Sequence, residues 1–144
     1  MTTSPILFII FNRPDTTRRV FEAIKQARPT QLFISADGPR THKQGEVEKC
    51  TATRAIVDIP GAIDWPCEVY RNYSDINQGC KKGVSSAINW FFENVNEGII
   101  LEDDCLPDQS FFSFASTMLE RYRGDELVMA VRGTNLQFGE IVDA

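Results

Sequence analysis

Ile99-Ile100-Leu101-Glu102-Asp103-Asp104-Cys105 sets three large apolar side chains directly before three carboxylates. The apolar run reads as a buried strand, and the acids then sit where that strand leaves its sheet. In an open α/β sheet this carboxyl edge is where ligands bind. Adjacent acids repel one another and are costly to bury. A hard cation that bridges them to phosphate oxygens would relieve the repulsion. Alternation along a strand end puts Glu102 and Asp104 on one face and Asp103 on the other. The competing reading is a solvated acidic turn, or acids placed before the helix that begins near Pro107.

Working outward, the other strands and helices fall into alternation. Pro5-Ile6-Leu7-Phe8-Ile9-Ile10-Phe11 is a near-continuous β-prone run, expected to be buried on both faces. Asn12-Arg13-Pro14-Asp15 stops it and opens a helix, with Pro14 suited to the first turn. Val20, Phe21, Ile24 and Ala27 form that helix's apolar stripe. Residues 31–35 make a second strand, broken by Asp37-Gly38-Pro39. A helix follows over Glu46–Asp58, with Val47, Ala55 and Ile56 expected inward, and then a strand over 67–71. Asn77-Gln78-Gly79 opens a helix to about Asn94 whose buried face is Val84, Ala87, Ile88, Phe91 and Phe92. The strand at 98–101 leads to a helix from Pro107-Asp108, with Phe111, Phe114, Ala115, Met118 and Leu119 in its stripe. Residues 127–131 form a final strand. Such alternation predicts one α/β domain: a three-layer, Rossmann-like, mostly parallel sheet with helices on both faces.

Composition narrows the class. At 144 residues, with 42% hydrophobic and 24% charged residues, the chain suits one soluble domain. A net charge of −5 argues against a nucleic-acid binder, which would carry a basic stripe. An anionic ligand would therefore need local cations, helix N-termini or a metal. Cys50, Cys67, Cys80 and Cys105 show no zinc spacing, and His42, the only histidine, reads as a solvated loop residue. Reduced thiols, the lack of a basic segment before Pro5 and an apolar run too short for a membrane span make cytoplasmic the expected location. Trp65 and Trp90 read as core. The oligomeric state is open, with a homodimer as one option.

Three further constellations share the expected carboxyl edge. Arg13 could pair with phosphate or stack on a base. Asp37 could accept a hydrogen bond from a base N–H, with Gly38 letting a ligand approach, although a plain turn with Asx-type capping competes. Gly79 and Lys82 lie in the segment Asn77-Gln78-Gly79-Cys80-Lys81-Lys82-Gly83, which opens a helix where backbone N–H groups and a lysine can meet a diphosphate. It is not a Walker A loop. Arg132 or Asn135, at the end of the last strand, could reach a ligand, though a strand-end turn is the simpler reading.

In this order, strand-Asn12-Arg13-Pro14, strand-Asp37-Gly38, Asn77-x-Gly79 opening a helix, and Leu101-Glu102-Asp103-Asp104 resemble the nucleotide-binding half of a GT-A glycosyltransferase. The likeness is to the bacterial family-2-like nucleotide-diphospho-sugar transferases. In its Glu-Asp-Asp form of the D-x-D motif the chain is similar to animal N-acetylglucosaminyltransferase I. The resemblance spans about residues 5 to 135. It implies a metal-dependent transfer of sugar from a UDP-sugar to a hydroxyl of a glycan, lipid or protein acceptor, with Mn²⁺ or Mg²⁺ as cofactor. Asp104 would ligate the metal, Glu102 and Asp103 would contact ribose or donor sugar, and Asn12 and Arg13 would lie along the nucleotide. Asp37 and Gly38 would meet the uracil, and Gly79 with Lys82 the phosphates.

The resemblance places the general base and most of the acceptor site later in the domain, and no residue here receives that role. The chain, ending at Asp143-Ala144, is therefore expected to be a donor-binding portion. The alternative function is a non-catalytic UDP-sugar-binding or assembly module. A nucleotidyltransferase would need a glycine-rich loop after the first strand, where Asn12-Arg13-Pro14 stands. An aspartyl-phosphate phosphatase would carry its acids after the first strand, not a late one.

Overall fold

The computed structural model describes residues 2–133. Four strands, β1 (Ile6–Ile10), β2 (Gln31–Ala36), β3 (Glu68–Tyr73) and β4 (Ile99–Glu102), alternate with four helices. These are α1 (Pro14–Ala27), α2 (Glu46–Asp58), α3 (Cys80–Asn94) and α4 (Gln109–Tyr122). Every ladder is parallel, in the order β3-β2-β1-β4. The fold is α/β with helices on both faces, as the alternation predicts. No helix among the described residues is long and apolar enough to cross a membrane.

Strand alternation sorts the core into two halves. Ile6, Phe8 and Ile10 of β1 join Leu32, Ile34, Ile99 and Leu101 on the face covered by α1, α2 and α4. Leu7 and Phe33 face α3, packing on Ala87 and Phe91. Because β1 is sandwiched on both sides, its sequence is apolar at every position. Helix α1 begins with Pro14 in its first turn and buries the expected Val20, Phe21, Ile24 and Ala27.

The remaining helix faces depart from their sequence reading. In α2 the buried residues are Glu46, Cys50, Thr53, Ile56 and Val57, while Val47 is 58% exposed. A polar residue begins that inward face, so hydrophobicity alone points to the wrong side. In α3 only Ala87 and Phe91 are fully buried, one turn apart, and Phe92 lies on the solvent side. Among the described residues α3 is the one helix on this face, so nothing covers a residue rotated about 100° from Phe91. In α4 Phe112 is the buried aromatic; Phe111, Ala115 and Leu119 pack partly and Phe114 is exposed.

Two strand expectations are also corrected. β4, expected to be buried, is an edge strand of the described sheet: Ile99 and Leu101 are buried, but Ile100 is 37% exposed. Residues 127–131 form no strand, and Leu127 and Met129 are exposed. Topology accounts for the edge position of β4 and disfavours a parallel strand after α4. The crossovers through α1 and α2, on one face, step from β1 to β2 to β3, and α3 returns the chain to β4 across the other face. Since α4 lies on the α1 face, a crossover of the same hand would lead from β4 back to the place β1 already fills.

The assignment of α3 to its face is testable at two adjacent phenylalanines. Phe91 is 0% exposed and meets Phe33 edge-on at 5.0 Å between ring centres, whereas Phe92 is 45% exposed. In urea unfolding, Phe91→Ala is expected to cost about 3–5 kcal/mol. Phe92→Ala is expected to cost less than about 1 kcal/mol. Equal losses would contradict the packing.

Candidate functional site

The parallel sheet brings the carboxyl ends of β1, β2 and β4 to one rim, with the N-terminus of α3 beside β2. The β1 and β4 exits touch directly, because Arg13 Nη1 donates to Asp104 Oδ2 at 2.8 Å across 91 residues of sequence. Both side chains are about half exposed, so the pair contributes at most about 1 kcal/mol to stability. Its value is positional: it places the Asn12-Arg13-Pro14 turn against the acid triplet.

Within the triplet the expected alternation holds. Glu102 and Asp104 are exposed while Asp103 is 9% exposed and turned under them. Burial raises the Asp103 pKa, and the Arg13 charge and the Phe11 backbone N–H offset part of that rise. Asp103 is therefore a poor candidate for contact with a ribose or sugar on the open rim. Donor atoms of Glu102, Asp104 and Cys105 lie within 4.8 Å of one another. The two exposed carboxylates fit a hard, oxygen-preferring cation. The Cys105 thiol does not: burial and the Asp104 carboxylate that it faces push its pKa up and hold it protonated.

At the β2 exit, Asp37 is engaged by its own chain. Its Oδ1 accepts from the Gly38 N–H at 2.8 Å and the Gln78 N–H at 2.9 Å, and Oδ2 accepts from Asn77 Nδ2 at 3.2 Å. Asn77 also donates to the Gly38 carbonyl at 2.8 Å, and its Oδ1 accepts from the Gly79 N–H at 3.1 Å. The Asn77-x-Gly79 motif thus stitches the start of α3 to the β2 exit. Gly38 is explained the same way: a Cβ there would stand 2.6–2.7 Å from the backbone of Asp75 and Ile76, so the close approach is by the chain itself. Gly79 has φ +84°. No side chain caps the first N–H groups of α3, Lys82 is exposed on the same turn, and the Asp37 carboxylate lies against that turn at Gly83.

Between α3 and the sheet lies a cleft of about 90 Å³, lined by Phe11, Ser35, Asp37, Asn72, Gln78 and Ser86 among others. That space admits several ordered waters or one small polar group. Three residues here escaped the sequence reading. Glu46, 4% exposed, accepts from Asn12 Nδ2 at 3.0 Å and from Arg40, so Asn12 faces α2 and not the open rim. Arg54 donates to the carbonyls of Asp37 at 3.2 Å and Ser74 at 2.7 Å, and its guanidinium lies over the Tyr73 ring. The only hint was a carboxylate at a helix start, where the dipole favours it.

His42 is exposed, and Trp65 is buried with its indole N–H on the Pro29 carbonyl, as expected. Trp90 packs edge-on against Phe33. Arg132 is exposed, and Asn135 lies outside the described residues. The chain matches no protein-family model, no curated protein and no solved structure.

The Arg40 contacts hold the Glu46 carboxyl down at about 2, below its ordinary 4.5. A depressed carboxylate contributes stability that is complete above its ordinary pKa and lost as pH falls through the folded value. Thermal melts from pH 6 to 2 should therefore show a loss between about pH 4.5 and 2 that is smaller in Glu46→Gln. An identical acid slope in the variant would remove Glu46 as its source.

Proposed function

We propose that the chain binds a nucleotide diphosphate sugar along the carboxyl rim of its sheet, as the donor-binding portion of a metal-dependent glycosyltransferase of GT-A type. The observation carrying this reading is the convergence of Arg13, the exposed Glu102–Asp104 pair and the uncapped start of α3 on one rim. Each supplies what one part of such a ligand needs. The α3 N–H groups and Lys82 complement the negative charge of the diphosphate. Arg13, already at the rim, can exchange its exposed carboxylate partner for a phosphate or lie along the base. Asp104 and Glu102 would hold Mg²⁺ or Mn²⁺, which as a Lewis acid stabilises the charge on the departing diphosphate.

Asp37 and Asp103, like Glu102, Gly38 and Asn12, take roles other than those the resemblance implies. Asp37 shapes the pocket by fixing the α3 start, since both of its oxygens already accept hydrogen bonds within the chain. Asp103 supports the triplet from below. No general base is assigned among the described residues, so donor binding is the part of the reaction proposed here, with UDP-sugars as the donor class. A binding module without transfer activity would use the same rim.

Thermal shift with UDP and Mn²⁺, together and apart, tests the reading. A bound ligand stabilises by mass action, so the expected result is an increase in Tm only when both are present. Asp104→Ala should abolish that increase and leave the unliganded Tm within about 3 °C, because its ion pair is exposed. No shift with any nucleoside diphosphate, or an unchanged shift in the variant, would overturn the proposal.

A further inference from the structure

Two loops frame the proposed nucleotide rim: residues 11–13 after β1, which carry Arg13, and residues 37–40 after β2, which carry Asp37. One carboxylate reaches both. Glu46, the first residue of α2, takes Asn12 Nδ2 on Oε1 at 3.0 Å and the Arg40 backbone N–H on Oε2 at 2.6 Å. Arg40 Nε adds contacts to both oxygens at 3.1 and 3.0 Å. The circuit closes between the loops, since the Arg40 guanidinium sits 5.8 Å from the centre of the Phe11 ring. A glutamate in a first helical turn ordinarily needs only solvent and the helix dipole. Burying it is costly unless its oxygens are fully paired, and here each loop supplies part of the pairing.

We propose that Glu46 is a positioning residue of the rim, holding the β1 and β2 exit loops in one mutual placement through Asn12 and Arg40. It acts through those two side chains and touches no ligand. The inference rests on the nucleotide-binding reading for its functional consequence, whereas the coupling of the loops can be measured without ligand. It also reassigns Asn12, whose amide serves the loop junction.

The test compares wild type, Glu46→Gln and Asn12→Ala by hydrogen exchange and by UDP titration with Mn²⁺, at a temperature where far-UV circular dichroism shows each protein folded. Glu46→Gln is expected to speed exchange in residues 11–13 and 37–40 together. Asn12→Ala, which leaves the Arg40–Glu46 pair in place, should do so in residues 11–13 alone. UDP affinity should fall about tenfold in the first variant and about threefold in the second, the loss expected for a charged or a neutral hydrogen bond. Wild type that binds UDP with unchanged affinity in both variants would overturn the positioning role while leaving the nucleotide reading intact. Wild type that does not bind would overturn the functional part of both. Exchange that quickens only within α2 would overturn the loop coupling itself. If Glu46→Gln fails to fold, Asn12→Ala decides on the same two readouts.

Discussion

Burial of β1 on both faces is the constraint from which the rest of the structure follows. Five consecutive residues, Ile6–Ile10, run between α1 and α4 on one side and α3 on the other, with β2 and β4 hydrogen-bonded along either edge. Such a strand cannot tolerate a polar side chain, so its chemistry is displaced to the point where it leaves the sheet. There the sequence turns at once to Asn12-Arg13-Pro14. Parallel neighbours in register place the ends of β2 and β4 at the same level. The rim is thus a consequence of the core: the more completely the middle of the sheet is apolar, the more its polar residues are concentrated at one end.

That concentration makes electrostatic sorting the central question at the rim. Five acids gather there with different fates. Glu46 and Asp37 are spent on the chain itself, one on Asn12 and Arg40, the other on the backbone of the α3 approach. Asp103 is buried, and burial pulls it toward its protonated form. Glu102 and Asp104 remain exposed, the latter held by surface contacts to Arg13 and the Cys105 thiol. The acids fully engaged by the protein stabilise the rim, and the two that are not are the ones with capacity left for a ligand.

Sequence patterns exposed the skeleton because the skeleton is governed by local rules. The apolar run of β1, Pro14 in a first turn, the exact span of α2 and the glycine before α3 all follow from dihedral preference and burial along one segment. What stayed hidden depends on partners far away in sequence. Val47 lies outward because Glu46, one residue earlier, is drawn inward by Asn12 and Arg40. Phe92 is exposed because, among the described residues, α3 alone covers its side of the sheet. Gly38 reads equally well as room for a ligand or for a loop, and only the approach of Asp75 and Ile76 distinguishes them. The rim itself was legible, since strand ends in an α/β alternation must coincide. Which of its residues the chain consumes was not.

Residues 127–131 show how a strong local preference yields to topology. Their β-branched and apolar composition favours a strand, and among the described residues β4 has an unpaired edge. Yet the helix before them lies on the face from which the chain's consistent crossover sense leads to β1, a place already filled. Pairing beyond β4 in parallel would demand a crossover of the opposite hand. An antiparallel approach meets no such objection, because it needs no crossover over the sheet. Among the described residues the outer edge of β4 carries no partner strand, next to Glu102 and Asp104. A strand paired there would border the acids directly, so the edge of the sheet and the acidic part of the rim are coupled.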